Sequence, residues 1–193
     1  MEELISEDAV IRVIQDGSPG AFTKEAVRDY ARAVCDPKNS FRKLFAILVL
    51  LRRGREIVNF VNAELSDRDL PLKAEPRNSS GNLIHMRRAA DPQAPLKCFR
   101  NWYAVDHEDF DKWQWTMLSP FFGKSDRRRV RFYALSEKDV LPWTRVFDEG
   151  RQGGFSDVYR IAIHPNHHNF EESRVSFPTS THTRLCALMR FNL

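Results

Sequence analysis

The sequence has no apolar segment long enough to cross a bilayer. Its longest uninterrupted apolar run extends from Leu44 to Leu51, whereas a transmembrane helix needs roughly 20 residues. The chain opens Met1-Glu2-Glu3, without the basic start and apolar stretch of a signal peptide. We therefore expect no membrane partner and a cytoplasmic location, with the nucleus as the alternative.

The sequence has only three cysteines, and it has no lysine after Lys138. The three cysteines, Cys35, Cys98 and Cys186, are an odd and widely scattered set, so we expect reduced thiols instead of a disulfide framework. From Asp139 onward six arginines balance six acidic residues. The whole net charge of +4 thus lies before that point. This mild bias permits contact with nucleic acid or acidic partners but indicates neither.

The first part of the chain has the signals of a helical bundle. Ser6 and Thr23 are predicted N-caps of two amphipathic helices, and Asp36-Pro37 ends the second. A third helix, from Phe41 to about Arg53, is apolar on most of its circumference, which is typical of the middle of a bundle. Gly54 is expected to break it. A fourth helix then carries the apolar positions Ile57, Val58, Val61 and Leu65.

Prolines and turn residues divide the chain into four predicted regions. Residues 1–70 are the helical module, and 71–100 are a loop-rich connection with four of the ten prolines. Residues 101–140 form a helix with a β-hairpin, and 141–193 a β segment. The fold class that follows is α+β, with an N-terminal helical bundle before a mainly antiparallel β segment.

The third region concentrates three of the four tryptophans. Asp106 is predicted to cap its helix. We expect the tryptophans to form a small aromatic core, with a stacking surface for bases as the alternative. A strand at 128–135 is predicted to pair with Phe121-Phe122 across a glycine turn. The three tryptophans are Trp102, Trp113 and Trp115.

Glycines cluster between two strand-like runs at one place only, residues 149–165. Protein kinases cover ATP phosphates with a hairpin of the pattern G-x-G-x-x-G-x-V, because glycine lets the backbone approach the phosphates closely. With Val158 at the valine, Gly153 fills the second glycine position. Arg151 and Ser156 stand at the first and third, Phe155 falls at the aromatic tip, and Gly154 adds conformational freedom.

The stretch from Gly153 to Pro165, followed by His167-His168-Asn169-Phe170, resembles a large fungal group of serine/threonine protein kinase-like proteins. Residues 41–72 and 113–120 are similar to the helical N-terminal region of that group. The resemblance implies the start of a kinase small lobe, with ATP and Mg²⁺ as cofactors of the intact family. It also implies nucleotide contacts by Gly153, Gly154, Phe155, Ser156 and Val158.

The sequence lacks the groups that catalyse phosphoryl transfer in such kinases. Such kinases take a lysine from the next strand, a base from an H-R-D loop and Mg²⁺ ligands that include D-F-G. The corresponding strand region runs from Thr181 to Arg190. Arg184 carries a positive charge there, but arginine does not replace this lysine. Neither the H-R-D loop nor the D-F-G motif occurs. We expect a catalytically inactive N-terminal fragment of a longer kinase-like protein. It would bind ATP weakly and act at most as a regulatory or binding module, with protein partners for the helical part.

Two other interpretations stay open. His164, His167 and His168, with His182 and Cys186 to complete the set, have the ligand types of a zinc site. We favour a solvated hairpin tip. A winged-helix nucleic-acid-binding protein would also have three helices and basic runs such as those at 124–131 and 52–55. This is the alternative function, although most such runs are solvated faces and we expect no nucleic-acid partner.

Overall fold

The computed structural model describes residues 5–17, 19–76, 84–124, 133–153, 156–170 and 185–191, with the backbone alone at 76, 84, 147–153, 156–160 and 185–191. The chain divides into two compact units, one up to Leu118 and one from Ser119 onward. Among the described residues, the first unit holds five α-helices and a β-hairpin, and the second an antiparallel sheet of three strands. The predicted α+β class with N-terminal helices is confirmed.

The first two helices begin at their predicted caps. Helix α1 is Glu7–Gly17 and helix α2 is Lys24–Cys35. Ser6 Oγ accepts a hydrogen bond from the Ala9 amide at 3.3 Å, and Thr23 Oγ1 accepts one from the Ala26 amide at 3.2 Å. Each satisfies one of the amides that a helix N-terminus leaves unpaired. Helix α2 ends before Asp36-Pro37, as predicted.

Helix α3, Arg42–Leu50, is the apolar centre of the first unit and ends differently from the prediction. Arg52 adopts a positive φ of 58°, and the Arg53 amide donates to the Leu48 carbonyl at 2.7 Å. This is the usual hydrogen-bond pattern of a helix C-terminus that closes through one left-handed residue. The prediction that Gly54 breaks the helix is wrong. Gly54 begins the 3-10 helix Gly54–Glu56 and is buried.

The core of the first unit is shared by helix α4, Ile57–Asn62, and helix α5, Ala104–Met117. The Phe60 ring of α4 lies 5.0 Å from Phe99, 6.2 Å from Trp102 and 6.5 Å from Phe110, centroid to centroid. All four rings are buried. Of the three tryptophans expected to form a small aromatic core, Trp102 is buried in this cluster and Trp113 packs against the same core as a partly buried residue. Helices before residue 70 and after residue 100 contribute to the same buried cluster, and the predicted division of the chain into four regions stays a prediction.

Two short strands lie within the predicted loop-rich connection. Strand β1, Lys73–Pro76, pairs antiparallel with strand β2, Ile84–Arg87. Met86 is buried among the helices, so the connection is attached to the helical core. None of the helices in the described part of the chain is both long and apolar enough to span a membrane.

The second unit is built on strands β3, Trp143–Gly153, β4, Ser156–Ile163, and β5, Leu185–Phe191, in the order β3-β4-β5. Phe122, Ile161 and Ile163 are its buried apolar cluster. The predicted pairing of Phe121-Phe122 with a strand at 128–135 is wrong for the described residues of that strand, 133–135. Phe122 bridges His168 instead, and 133–135 form no strand; residues 128–132 lie outside the described ones.

Side-chain contacts explain that difference. The Phe122 ring lies 5.0 Å from the Tyr133 ring. Tyr133 Oη also accepts a hydrogen bond from the Gly123 amide at 2.7 Å. The Tyr133 side chain therefore attaches this segment to the region around the glycine turn. Alternation of apolar and polar residues in the sequence does not distinguish such a side-chain contact from the backbone pairing of two strands.

Candidate functional site

The strands on either side of the glycine-rich turn pair antiparallel, as predicted. In the backbone register Gly153 pairs with Ser156, and Arg151 pairs with Val158. Gly154 and Phe155, which separate the two strands in the sequence, lie outside the described residues. Of the five predicted nucleotide contacts, the backbone positions of Gly153, Ser156 and Val158 are thus placed on facing strands. Their role in nucleotide binding stays a prediction.

The next described strand after the hairpin is β5; in kinases, the strand that follows the glycine loop along the chain supplies the phosphate-binding lysine. Strand β5 pairs antiparallel with β4, with Arg190 opposite Val158 and Leu188 opposite Arg160. Its sequence is LCALMRF, in which Arg190 is the single basic residue. Arg184, the charge noted in the sequence, lies outside the described residues.

The histidines of the hairpin end are engaged in local contacts. His164 Nδ1 accepts a hydrogen bond from the Asn166 amide at 3.3 Å, and His168 Nδ1 accepts one from the Phe170 amide at the same distance. His167 Nδ1 lies 3.2 Å from the Pro120 carbonyl oxygen. Among the described residues, no group of three or more potential ligands is placed to hold a metal ion. His182 and the side chain of Cys186 lie outside that part of the chain.

In the basic run at 52–55, two arginines are bonded to other groups of the protein. Arg53 pairs with Glu56 and with Asp106, each at 2.6 Å. Arg55 Nη1 donates to the Gly17 carbonyl at 2.7 Å. Residues 125–131 of the other run lie outside the described residues. The nucleic-acid alternative therefore gains no specific support from the described side chains.

An open cleft of about 680 Å³ lies in the first unit. One side consists of the 3-10 helix Gly54–Glu56 and α4, and contributes Arg55, Asn59 and Asn62. These three positions are spaced four and three residues apart, so they share one helical face. They are exposed, whereas Ile57, Val58 and Phe60 of the same segment are buried.

The other side of the cleft is the segment that leads into α5. It contributes Lys97, Arg100 and Asn101, all exposed. The side chains of Cys98 and Trp102 also line the cleft, and Trp102 is 8% exposed. Polar and charged groups at the rim therefore surround a base that is partly apolar.

One acidic residue lines the cleft, and its charge is compensated. Glu56 Oε1 accepts from Arg53 at 2.6 Å, and Glu56 Oε2 accepts from Trp102 Nε1 at 2.8 Å. The Arg53 guanidinium also lies 4.8 Å from the centre of the Trp102 ring. The buried tryptophan thus has its polar N–H satisfied, and the ion pair fixes its orientation.

Cys98 is the one thiol among the described residues that line the cleft. Burial raises the pKa of the Cys98 thiol to about 12, so this group is neutral and unreactive near pH 7. No histidine, serine or aspartate is among the described residues that line the cleft.

The sequence analysis did not identify this cleft. The exposed face of Arg55, Asn59 and Asn62 is visible as a polar stripe opposite the apolar positions of the fourth helix. The second side comes from a loop-rich segment 35 or more residues later along the chain. Nothing in the local pattern indicates that the two segments meet.

Comparisons of this chain with protein-family models, curated proteins and solved structures found no match. They lend no support to a kinase-like origin, which remains a hypothesis based on the residues quoted in the sequence analysis.

Proposed function

We propose that this chain is a non-catalytic binding module of a serine/threonine protein kinase-like protein. The observation that carries the proposal is strand β5, which pairs with the glycine hairpin and has no lysine. Kinases hold the α- and β-phosphates of ATP with a lysine from this position in the chain order. Without it, the positive charge that kinases place on those phosphates has no lysine counterpart on β5.

Energetics favour a weak nucleotide site. Phosphoryl transfer is catalysed mainly by positioning and charge stabilisation. Within these 193 residues the sequence contains neither the H-R-D loop nor D-F-G, so the base and the Mg²⁺ ligands of the family have no counterpart. A glycine loop closes over a nucleotide that other groups hold. By itself it exchanges hydrogen bonds to water for hydrogen bonds to phosphate, with little net gain.

The first unit supplies the binding function in this proposal. Its cleft of about 680 Å³ falls within the range of roughly 300–1,000 Å³ that is usual for ligand sites. The cleft is attached to a large buried core through Val58 and Trp102. A rigid support of this kind lowers the entropy lost when a ligand binds.

We place the module in the cytoplasm. Cys35 and Cys98 are free thiols in the described structure. Burial raises the pKa of both, which keeps them protonated near neutral pH. Persistent free thiols are typical of a reducing compartment.

Isothermal titration calorimetry with Mg-ATP tests the proposal. We expect no binding tighter than millimolar to the full chain. We also expect no phosphate transfer to the chain itself, as detected by mass spectrometry. Saturable binding with a Kd in the micromolar range, lost in the variant Gly153→Val, would contradict the proposal, because the hairpin would then be a working nucleotide site.

A further inference from the structure

We propose that the cleft between the Arg55–Ala63 segment and the Lys97–Trp102 segment binds a short acidic peptide of a partner protein. The inference names the ligand of the binding module proposed above and rests on that proposal. Three observations carry it: the charge of the cleft, the carboxamides at its rim and its partly apolar base.

The cleft has an excess of positive charge. Arg55, Lys97 and Arg100 line it and are exposed. Arg55 uses one guanidinium nitrogen on the Gly17 carbonyl, which leaves further N–H donors for a ligand. Among the described residues, neither Lys97 nor Arg100 takes part in an ion pair. Because Glu56 is already paired with Arg53, the unbalanced charges favour an anionic ligand.

The carboxamides at the rim fit a peptide backbone. Asn59, Asn62 and Asn101 each offer both donor and acceptor groups, whereas the phosphates of a nucleic-acid backbone offer only acceptors. Tyr30 Oη donates to Asn62 Oδ1 at 3.2 Å. This contact directs the Asn62 carboxamide so that its NH₂ group remains for a carbonyl oxygen of the ligand.

The base and one end of the cleft provide apolar surface for an anchoring side chain. Trp102 and Val58 are buried in the base, and Phe22 is 37% exposed at the lining. The Phe22 ring is supported by an edge contact with Tyr30, at 5.9 Å between centroids. A leucine among acidic residues would use both the apolar base and the charged rim.

The test is fluorescence anisotropy on the full chain with a fluorescein-labelled peptide of sequence EDLEELDE. We expect saturable binding that weakens as the salt concentration rises. The double variant K97E/R100E should weaken it by about tenfold or more, because two exposed ion pairs are replaced by repulsion. The uncharged peptide QNLQQLNQ should not bind.

A matched control separates the cleft from net charge. The variant K73E/K112E makes the same change in charge at exposed positions that do not line the cleft, and it should leave the Kd unchanged. Asn59→Trp blocks the cleft without altering charge and should also abolish binding. Circular dichroism and thermal unfolding confirm that each variant is folded before its Kd is compared.

Several results would overturn the inference. These are absence of peptide binding at low salt, equal weakening by both double variants, and unchanged binding in K97E/R100E. Preferential binding of duplex DNA over the peptide at the same residues would do so as well. Micromolar Mg-ATP binding that persists in K97E/R100E would contradict the non-catalytic proposal instead and leave the peptide site intact. The two failures are therefore distinguishable.

Discussion

The carboxamide of Gln114 pairs at both ends with the backbone of Leu72. The Leu72 amide donates to Gln114 Oε1 at 2.7 Å, and Gln114 Nε2 donates to the Leu72 carbonyl at 3.0 Å. Both residues are buried. A side chain of α5 thus takes the place of a strand partner just before β1, and it joins the predicted connection to the helical core.

Gln114→Leu should destabilise the first unit. The substitution keeps an apolar side chain of similar size but leaves a buried N–H and a buried C=O without partners. Each such group costs about 1–3 kcal/mol, so we expect a loss of about 3 kcal/mol in the free energy of unfolding, measured by urea denaturation. Gln15→Leu, at an exposed position of α1, is the control and should change stability by less than about 0.5 kcal/mol.

Asp67 caps α3 from a distant part of the chain. Its two carboxylate oxygens accept from the amides of Lys43 and Leu44, both at 3.0 Å. Asp67→Ala should cost about 1–2 kcal/mol, the usual effect of removing an N-cap side chain. Asp29→Ala removes an exposed surface pair with Arg32 and should cost at most about 1 kcal/mol. Equal losses for the two variants would contradict the capping role.

Gly54 allows a close approach that no other residue permits. A β-carbon there would lie 2.6 Å from Val13 Cγ1 and 3.0 Å from Val49 Cγ2. Gly54→Ala should therefore cost about 1–3 kcal/mol through overpacking. Combining it with Val13→Ala removes the nearest methyl group, so the double variant should lose less than the sum of the two single losses. Additive losses would show that the crowding is not the cause.

His107 should make the first unit sensitive to acid. It is buried against the Phe99 and Trp102 rings. Burial lowers its pKa below the usual 6.5, an effect that Asp106 opposes and His85 and Arg53 reinforce. The unfolded chain binds a proton more readily, so stability should fall as the pH drops below about 6.5.

The measurement is the urea midpoint at pH 7.5 and at pH 5.5. The decrease between these pH values should be smaller in His107→Gln than in the wild type. His164→Gln changes an exposed histidine of the second unit and should leave the pH dependence of the first unit unaltered. An unchanged decrease in His107→Gln would exclude this residue as the cause.

Helix starts that depend on contacts between residues close together in the sequence were predicted from the sequence. Ser6 and Thr23 cap helices through hydrogen bonds to amides three residues away, so their role is readable from sequence. The predicted cap at Asp106 is wrong: α5 begins three residues earlier than this cap implies, at Ala104, and the Asp106 carboxylate lies in its first turn, where it accepts from the Tyr103 amide at 3.0 Å. Such end effects are the least certain part of a helix prediction.

Contacts between distant segments were not predictable in this way. The cap of α3 by Asp67 spans more than 20 residues, and Gln114 reaches Leu72 across 42. The cleft has the same origin, because its two sides meet through burial of Val58 and Trp102 in one core. The hairpin at Gly153 was predicted because its turn and strands are contiguous, whereas its binding capacity depends on groups elsewhere.

Backbone NMR chemical-shift mapping of the full chain follows the cleft and the glycine hairpin in one experiment. Titration with the acidic peptide should shift the amide resonances of Asn59, Lys97 and Asn101. Titration with Mg-ATP up to millimolar concentration should leave those of Gly153 and Ser156 in place. Saturable shifts at Gly153 and Ser156 at micromolar Mg-ATP, with no response of the cleft residues to the peptide, would contradict the account.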